Sequence, residues 1–163
     1  MDSIVFSTKQ SNWRTPPWLF NLLDREFGFN LDAAADDTNA LCPRYFTEHD
    51  NALRQAWWGN VYCNPPYGRD VGAWVRKGYN ETVLPGHAVY VVMLLAARTD
   101  TIWWHDYVLP YADSLYFIRG RLKFSEEKQA APFPSCVVVF YRFAKYNALE
   151  LGVITQDGEM GIL

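Results

Sequence analysis

Apolar positions along the chain follow two spacings in turn. Trp18, Leu19, Leu22, Leu23 and Phe27 fall three or four residues apart and mark one stripe of a helix. Thr15 precedes it as a cap, prolines 16 and 17 suit its first turn, and Gly28 stops it. Phe29 to Asp32 predicts a short strand that runs out into the small and acidic residues Ala33 to Asp37. Asp50 to Leu53 begins a short turn or helix. Gly59 to Cys63 is a second strand, closed by Asn64-Pro65-Pro66-Tyr67-Gly68, because neither proline can donate a ladder hydrogen bond. Val71, Trp74, Val75 and Tyr79 return to helical spacing. His87 to Leu95 is a nearly continuous apolar, β-branched run, the pattern of a central strand covered on both faces. A further helix is expected from Thr99 or Asp100 to about Leu109, and a strand from Ser114 to Ile118. Two more strands, Arg121 to Phe124 and Cys136 to Phe143, flank a proline-rich, charged loop and are read as an antiparallel pair at the sheet edge.

Strands alternating with helices specify an α/β fold: a mostly parallel sheet in three layers, with an antiparallel C-terminal edge hairpin. The 163 residues, half of them hydrophobic, suffice for one sizeable core and are too few for two ordinary domains, so residues 1–163 are read as a single domain. The formal net charge of -3 supplies no general attraction to a polyanion. Any contact with nucleic acid must use local groups, of which Arg69, Arg121 and Lys123 are the candidates. Three cysteines, Cys42, Cys63 and Cys136, make an odd number without metal-ligand spacing, so neither a disulfide framework nor a metal site is expected. The start, Met1 to Ser7, has no basic region followed by an apolar stretch, and the longest apolar run, Ala88 to Ala97, is too short to cross a bilayer. A soluble protein of a reducing, cytoplasmic compartment is the expectation, with no membrane partner. His49, His87 and His105 lack ligand or triad spacing and are read as packing or surface residues.

The chemistry lies in the loop after the second strand. A conjugated exocyclic amine such as that of adenine is a poor nucleophile, because its lone pair is delocalised into the ring. Two acceptors that take both amino hydrogens would return that lone pair to the nitrogen. Asn64 offers a side-chain carbonyl oxygen, and Pro65 a backbone carbonyl aimed by the rigid Pro65-Pro66 unit. Tyr67 offers a face on which a base drawn from its helix could stack. Such a loop needs no general base, which accounts for the absence of His and Lys from it.

On these residues, from about Trp13 to Phe140, the chain resembles the amino-methyltransferases, in particular the small phage-type DNA N-6-adenine methyltransferases. Asn64-Pro65-Pro66-Tyr67 resembles their catalytic Asp/Asn-Pro-Pro-Tyr loop. Thr15-Pro16-Pro17 resembles the Thr-Pro segment that contacts the methionine part of S-adenosylmethionine. Leu31-Asp32-Ala33-Ala34-Ala35 stands where their cofactor motif stands, with Asp32 as partner of the cofactor's amino group, and Asp50 resembles the acid that meets its adenine. The resemblance implies a Rossmann-like methyltransferase fold, S-adenosylmethionine as cofactor, DNA as partner and a phage or prophage setting. Two departures stand out. Alanines replace the usual glycines after Asp32, and only 17 residues separate Asp32 from Asp50, leaving Asp36, Asp37 and Glu48 open as the acid for the cofactor's ribose. The same loop could also grip an RNA adenine, the cytosine amino group or a glutamine amide, and a chain of this fold could be a non-catalytic binding module.

Overall fold

The protein's structure, a computed structural model, describes residues 13–125, 127–145 and 148–163. The N-terminal stretch Met1 to Ser7 lies outside the described residues. Eight strands form one sheet: β1 (Leu31–Asp32), β2 (Arg44–Tyr45), β3 (Gly59–Cys63), β4 (Ala88–Ala96), β5 (Ser114–Ile118), β6 (Ser135–Tyr141), β7 (Glu150–Ile154) and β8 (Met160–Ile162). Their order across the sheet is β2-β1-β3-β4-β6-β5-β7-β8. The pairs β1/β2, β1/β3, β3/β4 and β5/β7 are parallel; β4/β6, β5/β6 and β7/β8 are antiparallel.

Successive strand residues point to opposite faces, and both faces are buried. Val61, Val91, Met93, Leu95, Val138 and Phe140 pack on one side with Val75, Trp104 and Val108. Tyr62, Val92, Leu94, Val137 and Val139 pack on the other with Leu19, Phe20, Leu22 and Leu23. The sheet is therefore the middle of three layers. Helix α1 (Pro17–Phe27) covers the second face, while α2 (Val71–Val83) and a π-helical turn, Trp104–Val108, running on into α3 (Leu109–Tyr111), cover the first. Pro110 in α3 has no N–H to return to the carbonyl of Asp106, which suits a break from α-helical bonding there. Gly78 lets α2 approach β4 closely, since a Cβ there would meet Met93 Sδ at 2.9 Å and Val91 Cγ1 at 3.1 Å.

Several expectations hold residue for residue, among them β3 and β5. Others are corrected. The cap of α1 is Pro16, whose carbonyl accepts from the N–H of Leu19 and Phe20; Thr15 makes no cap bond. Gly28 ends the helix as expected, in the left-handed region at φ 61°. Strand β1 is only two residues long, because the Asn30 side chain, not the ladder, takes the N–H of Asn60 at 2.9 Å. The helical segment after β4 begins at residue 102, later than Thr99 or Asp100. Arg121 to Phe124 is not a strand. Its buried Leu122 and Phe124 alternate with exposed Arg121 and Lys123, yet β5 is already paired on both sides, by β6 and β7. Strand β6 lies inside the sheet instead of at its edge, as its uninterrupted apolar run allows. The C-terminal edge does carry an antiparallel hairpin, made by β7 and β8.

One charged cluster fastens α2 to the sheet. Glu81 is 2% exposed and accepts from Trp57 N at 2.7 Å, Lys77 Nζ at 2.6 Å and His87 Nδ1 at 2.6 Å. Burial pushes its carboxyl up, but these partners outweigh burial and hold it below its ordinary value of 4.5. A carboxyl lowered by folding adds stability that is complete above that ordinary value and is lost as pH falls through the lower folded one. Glu81→Ala should cost about 3 kcal/mol in urea unfolding at pH 7, because it strands the buried N–H of Trp57 and removes the anion that pairs the partly buried Lys77 and His87. The difference should shrink as pH falls through the lowered value of the folded protein.

Candidate active site

Strands β1, β3, β4 and β5 run in one direction, so their C-terminal ends share one edge of the sheet. Asp32 ends β1, Asn64 follows β3, Ala96 ends β4 and Ile118 ends β5. This is the edge at which an open α/β sheet offers a crevice. Asn64, Asp32 and the loops bearing Arg69, Arg121 and Lys123 all lie there.

Asp32 is 3% exposed. Its Oδ2 accepts from Leu41 N at 3.1 Å and its Oδ1 from Ala34 N at 3.3 Å. Burial is the larger effect and raises its carboxyl to about 6, against the lowering action of those two N–H groups. No cation pairs with it among the described residues. The loop beyond it closes without glycine: no residue from 33 to 45 takes a positive φ. Asp36 makes the turn instead, accepting from Thr38 N, Thr38 Oγ1 and Asn39 N. Tyr45 Oη donates to Asp37 at 2.9 Å.

The extended segment Trp13–Thr15 crosses this edge before α1. Arg14 pairs with Ser125 in an antiparallel bridge, with Ser125 N donating to Arg14 O at 2.9 Å. Thr15 is 6% exposed, and its Oγ1 lies 2.6 Å from the hydroxyl of Tyr62. Asn64 Nδ2 donates to the Trp13 carbonyl at 2.5 Å and to Thr15 Oγ1 at 3.2 Å. A backbone carbonyl only accepts, so the amide nitrogen must face Trp13 and the amide oxygen must face away. That oxygen, Asn64 Oδ1, is buried and has no hydrogen-bond partner among the described residues; Ser135 Oγ shares this condition. A buried acceptor without a partner costs about 1–3 kcal/mol.

Pro65 is buried, Pro66 exposed, and the carbonyl of Pro65 accepts no hydrogen bond among the described residues. Tyr67 is half-buried, donates from its hydroxyl to Leu94 O at 3.2 Å, and meets Phe124 and Phe133 edge-on at 6.2 and 5.5 Å between ring centres. Trp13 completes this group of rings, 5.1 Å from Phe124 and 5.6 Å from Phe133. Arg69, Arg121 and Lys123 are exposed. Asp50 is exposed as well, and its Oδ2 braces a turn by accepting from Thr47 N at 2.7 Å and Thr47 Oγ1 at 2.9 Å. The three histidines stay out of the site: His87 pairs with Glu81, His105 Nε2 lies 2.9 Å from Thr99 O, and His49 is exposed. Cys42, Cys63 and Cys136 are buried and free.

Trp13, Tyr62 and Phe133 join the site without a motif to announce them. The one available signal was position: Tyr62 is the last residue but one before the Pro-Pro loop, on the strand face that Asn64 continues.

Over 98 residues, 58% of this chain, the sequence is 33% identical to a DNA N-6-adenine-methyltransferase of Escherichia phage T1. The match spans only 39% of that enzyme's length. Over 63 residues, 34% of this chain, it is 41% identical to a protein of Escherichia coli (strain K12) provisionally named a methyltransferase, of which it covers 69%. A family model described as DNA N-6-adenine-methyltransferase (Dam) matches residues 2–159. With nearly the whole chain matched, the protein belongs to the Dam family of DNA N-6-adenine-methyltransferases.

Proposed function

We propose that the chain is a single Rossmann-like methyltransferase domain that transfers a methyl group from S-adenosylmethionine to the N-6 amino group of adenine in DNA. The observation that carries this reading is the buried, unpartnered Oδ1 of Asn64, followed at once by the unpartnered carbonyl of Pro65. These two acceptors, consecutive in the chain, suit an amine with two hydrogens to give.

The residues present also fit the cofactor. Asp32 is a buried carboxyl with N–H partners and no cation, and ionising it at pH 7 costs about 3 kcal/mol relative to a carboxyl of ordinary value. An ammonium group beside it would offset that cost. Asp32 would hold the cofactor's amino group, the backbone of Thr15, Pro16, Ala33 and Ala34 would border its methionine part, and Asp50 is proposed for its adenine. Of the three acids open for the ribose, Asp36 and Asp37 are engaged within the loop, which favours exposed Glu48. When bound, S-adenosylmethionine supplies a methyl group on a positively charged sulfur.

The chain's own part is to hold and shape the acceptor. Asn64 Oδ1 and the Pro65 carbonyl take the two amino hydrogens, which draws the lone pair out of the ring and onto the nitrogen. Tyr67, anchored through its hydroxyl and edged by two phenylalanines, stacks on the extruded base and offsets part of the unstacking cost of a few kcal/mol. Arg69, Arg121 and Lys123 contact phosphates at the rim. No residue need remove a proton before transfer; the nitrogen loses its extra proton to solvent once it is alkylated.

The direct test incubates purified protein with tritiated S-adenosylmethionine and adenine-containing DNA and then digests the product. N-6-methyladenine is expected; no labelled nucleoside beside an active control enzyme would overturn the proposal. Asn64→Ala should lower turnover by about two to three orders of magnitude while cofactor affinity, measured by calorimetry, changes little. Cofactor affinity of the wild type should fall as pH drops below about 6, where Asp32 takes up its proton. Asp32→Asn should weaken binding at least about tenfold at pH 8 and abolish that pH dependence.

A further inference from the structure

The amide of Asn64 is held at one end so that it can work at the other, and the holding groups all come from elsewhere in the chain. Both hydrogens of Nδ2 are spent inside the protein, one on the Trp13 carbonyl and one on Thr15 Oγ1. Thr15 in turn shares its hydroxyl hydrogen bond with Tyr62, a residue of β3 whose side chain is fully buried. Its backbone is fixed as well, since its own carbonyl accepts from Ser125 Oγ at 3.2 Å and the neighbouring Arg14 is bridged to Ser125. A terminal amide can rotate by half a turn and exchange its oxygen and nitrogen. The Trp13 carbonyl and the Thr15 hydroxyl forbid that exchange.

We propose that Thr15 is a positioning residue for Asn64, and that position 64 must carry both a donor, for Trp13 and Thr15, and an acceptor, for the substrate amine. This rests on the reading of Asn64 Oδ1 as a substrate contact. It gives Thr15 a task separate from any contact with the cofactor, because its hydroxyl is already committed between Tyr62 and Asn64. It also states why an amide serves in this chain. An ionised carboxylate at position 64 has no hydrogen to give and would set an oxygen against the Trp13 carbonyl at the distance now occupied by Nδ2. A protonated carboxyl can donate its one hydrogen to that carbonyl and still present an accepting oxygen.

Three variants of the full chain test this. Thr15→Val keeps the shape and removes the hydroxyl; kcat should fall about tenfold or more, while KM for DNA and calorimetric cofactor affinity stay within about twofold. Thr15→Ser should restore kcat. Asn64→Asp should be poorly active at pH 8 and gain activity as pH is lowered towards 6, a rise the wild type does not show. A measurement without cofactor or DNA accompanies these: in protein labelled with ¹⁵N-asparagine, the Asn64 side-chain amide protons, assigned by their loss in Asn64→Asp, should be protected from hydrogen exchange in the wild type and in Thr15→Ser, and at least the proton given to Thr15 should lose that protection in Thr15→Val. Unchanged kcat and unchanged amide protection in Thr15→Val would overturn the proposal, as would a loss confined to cofactor affinity, which would make Thr15 a cofactor contact. An Asn64→Asp variant that is fully active at pH 8 would overturn the donor requirement at position 64. Failure of the wild type to methylate DNA would sink the functional reading instead, and the exchange measurement would still judge the orientation of Asn64.

Discussion

Pro65 and Pro66 have no backbone N–H, and this absence decides where the central strand stops and the loop at its end begins. Strand β3 is paired on both sides, to β1 and to β4, and would otherwise continue beside β4, which runs on to Ala96. Without donors the chain must leave the ladder after Cys63. The residue at the point of departure, Asn64, is thereby turned out of regular pairing and into reach of the segment that precedes α1. Everything at that edge then follows from the departure: the amide meets Trp13 and Thr15, the Pro65 carbonyl has no strand to bond, and Tyr67 comes to rest against Leu94 and the rings of Phe124 and Phe133.

Two buried carboxylates show how the same chain treats charge for different ends. Glu81 sits among a lysine, a histidine and a backbone N–H, and its charge is balanced from within. Asp32 has only two backbone N–H groups, so its charge is left short of balance. A fold under no demand but stability would gain from a neutral residue at position 32. The deficit lies at the sheet edge that also holds the orphaned amide oxygen, whereas the balanced acid lies on α2, where it closes the packing of helix on sheet. Cost without local return is concentrated where a ligand is proposed to supply the missing partner.

The parts of this architecture that were legible in the sequence are those whose signal is carried by their own residues. The proline stop after β3, the stripe of α1 and the apolar runs of β4 and β6 each announce themselves. Strands β2 and β8, of two and three residues, are too short for any period to show. The alternation from Arg121 to Phe124 was real but came from a loop pressing Leu122 and Phe124 into the core, with Ala131 N returning to Leu122 O. In the site, the place of Asn64-Pro65-Pro66-Tyr67 at the end of β3 could be read directly. The orientation of the Asn64 amide could not, because the groups that set it are a main-chain carbonyl 51 residues away and a threonine hydroxyl 49 residues away, and neither pairing leaves a mark in the sequence.

Strand β6 is the eighth decade of residues after the Pro-Pro loop begins, yet it sits between β4 and β5, with Cys136 to Phe140 wholly out of solvent. Until that strand is in place, β4 and β5 have no common partner, and the loop that carries Phe124 and Phe133 has no fixed landing. A ribosome-bound chain can therefore own the whole Asn64-Pro65-Pro66-Tyr67 loop and still lack the wall it leans on. Assembly of the centre of the sheet is a long-range event that comes late in synthesis. Until then the segment bearing Asn64-Pro65-Pro66-Tyr67 exists without Phe124 and Phe133 fixed beside Tyr67.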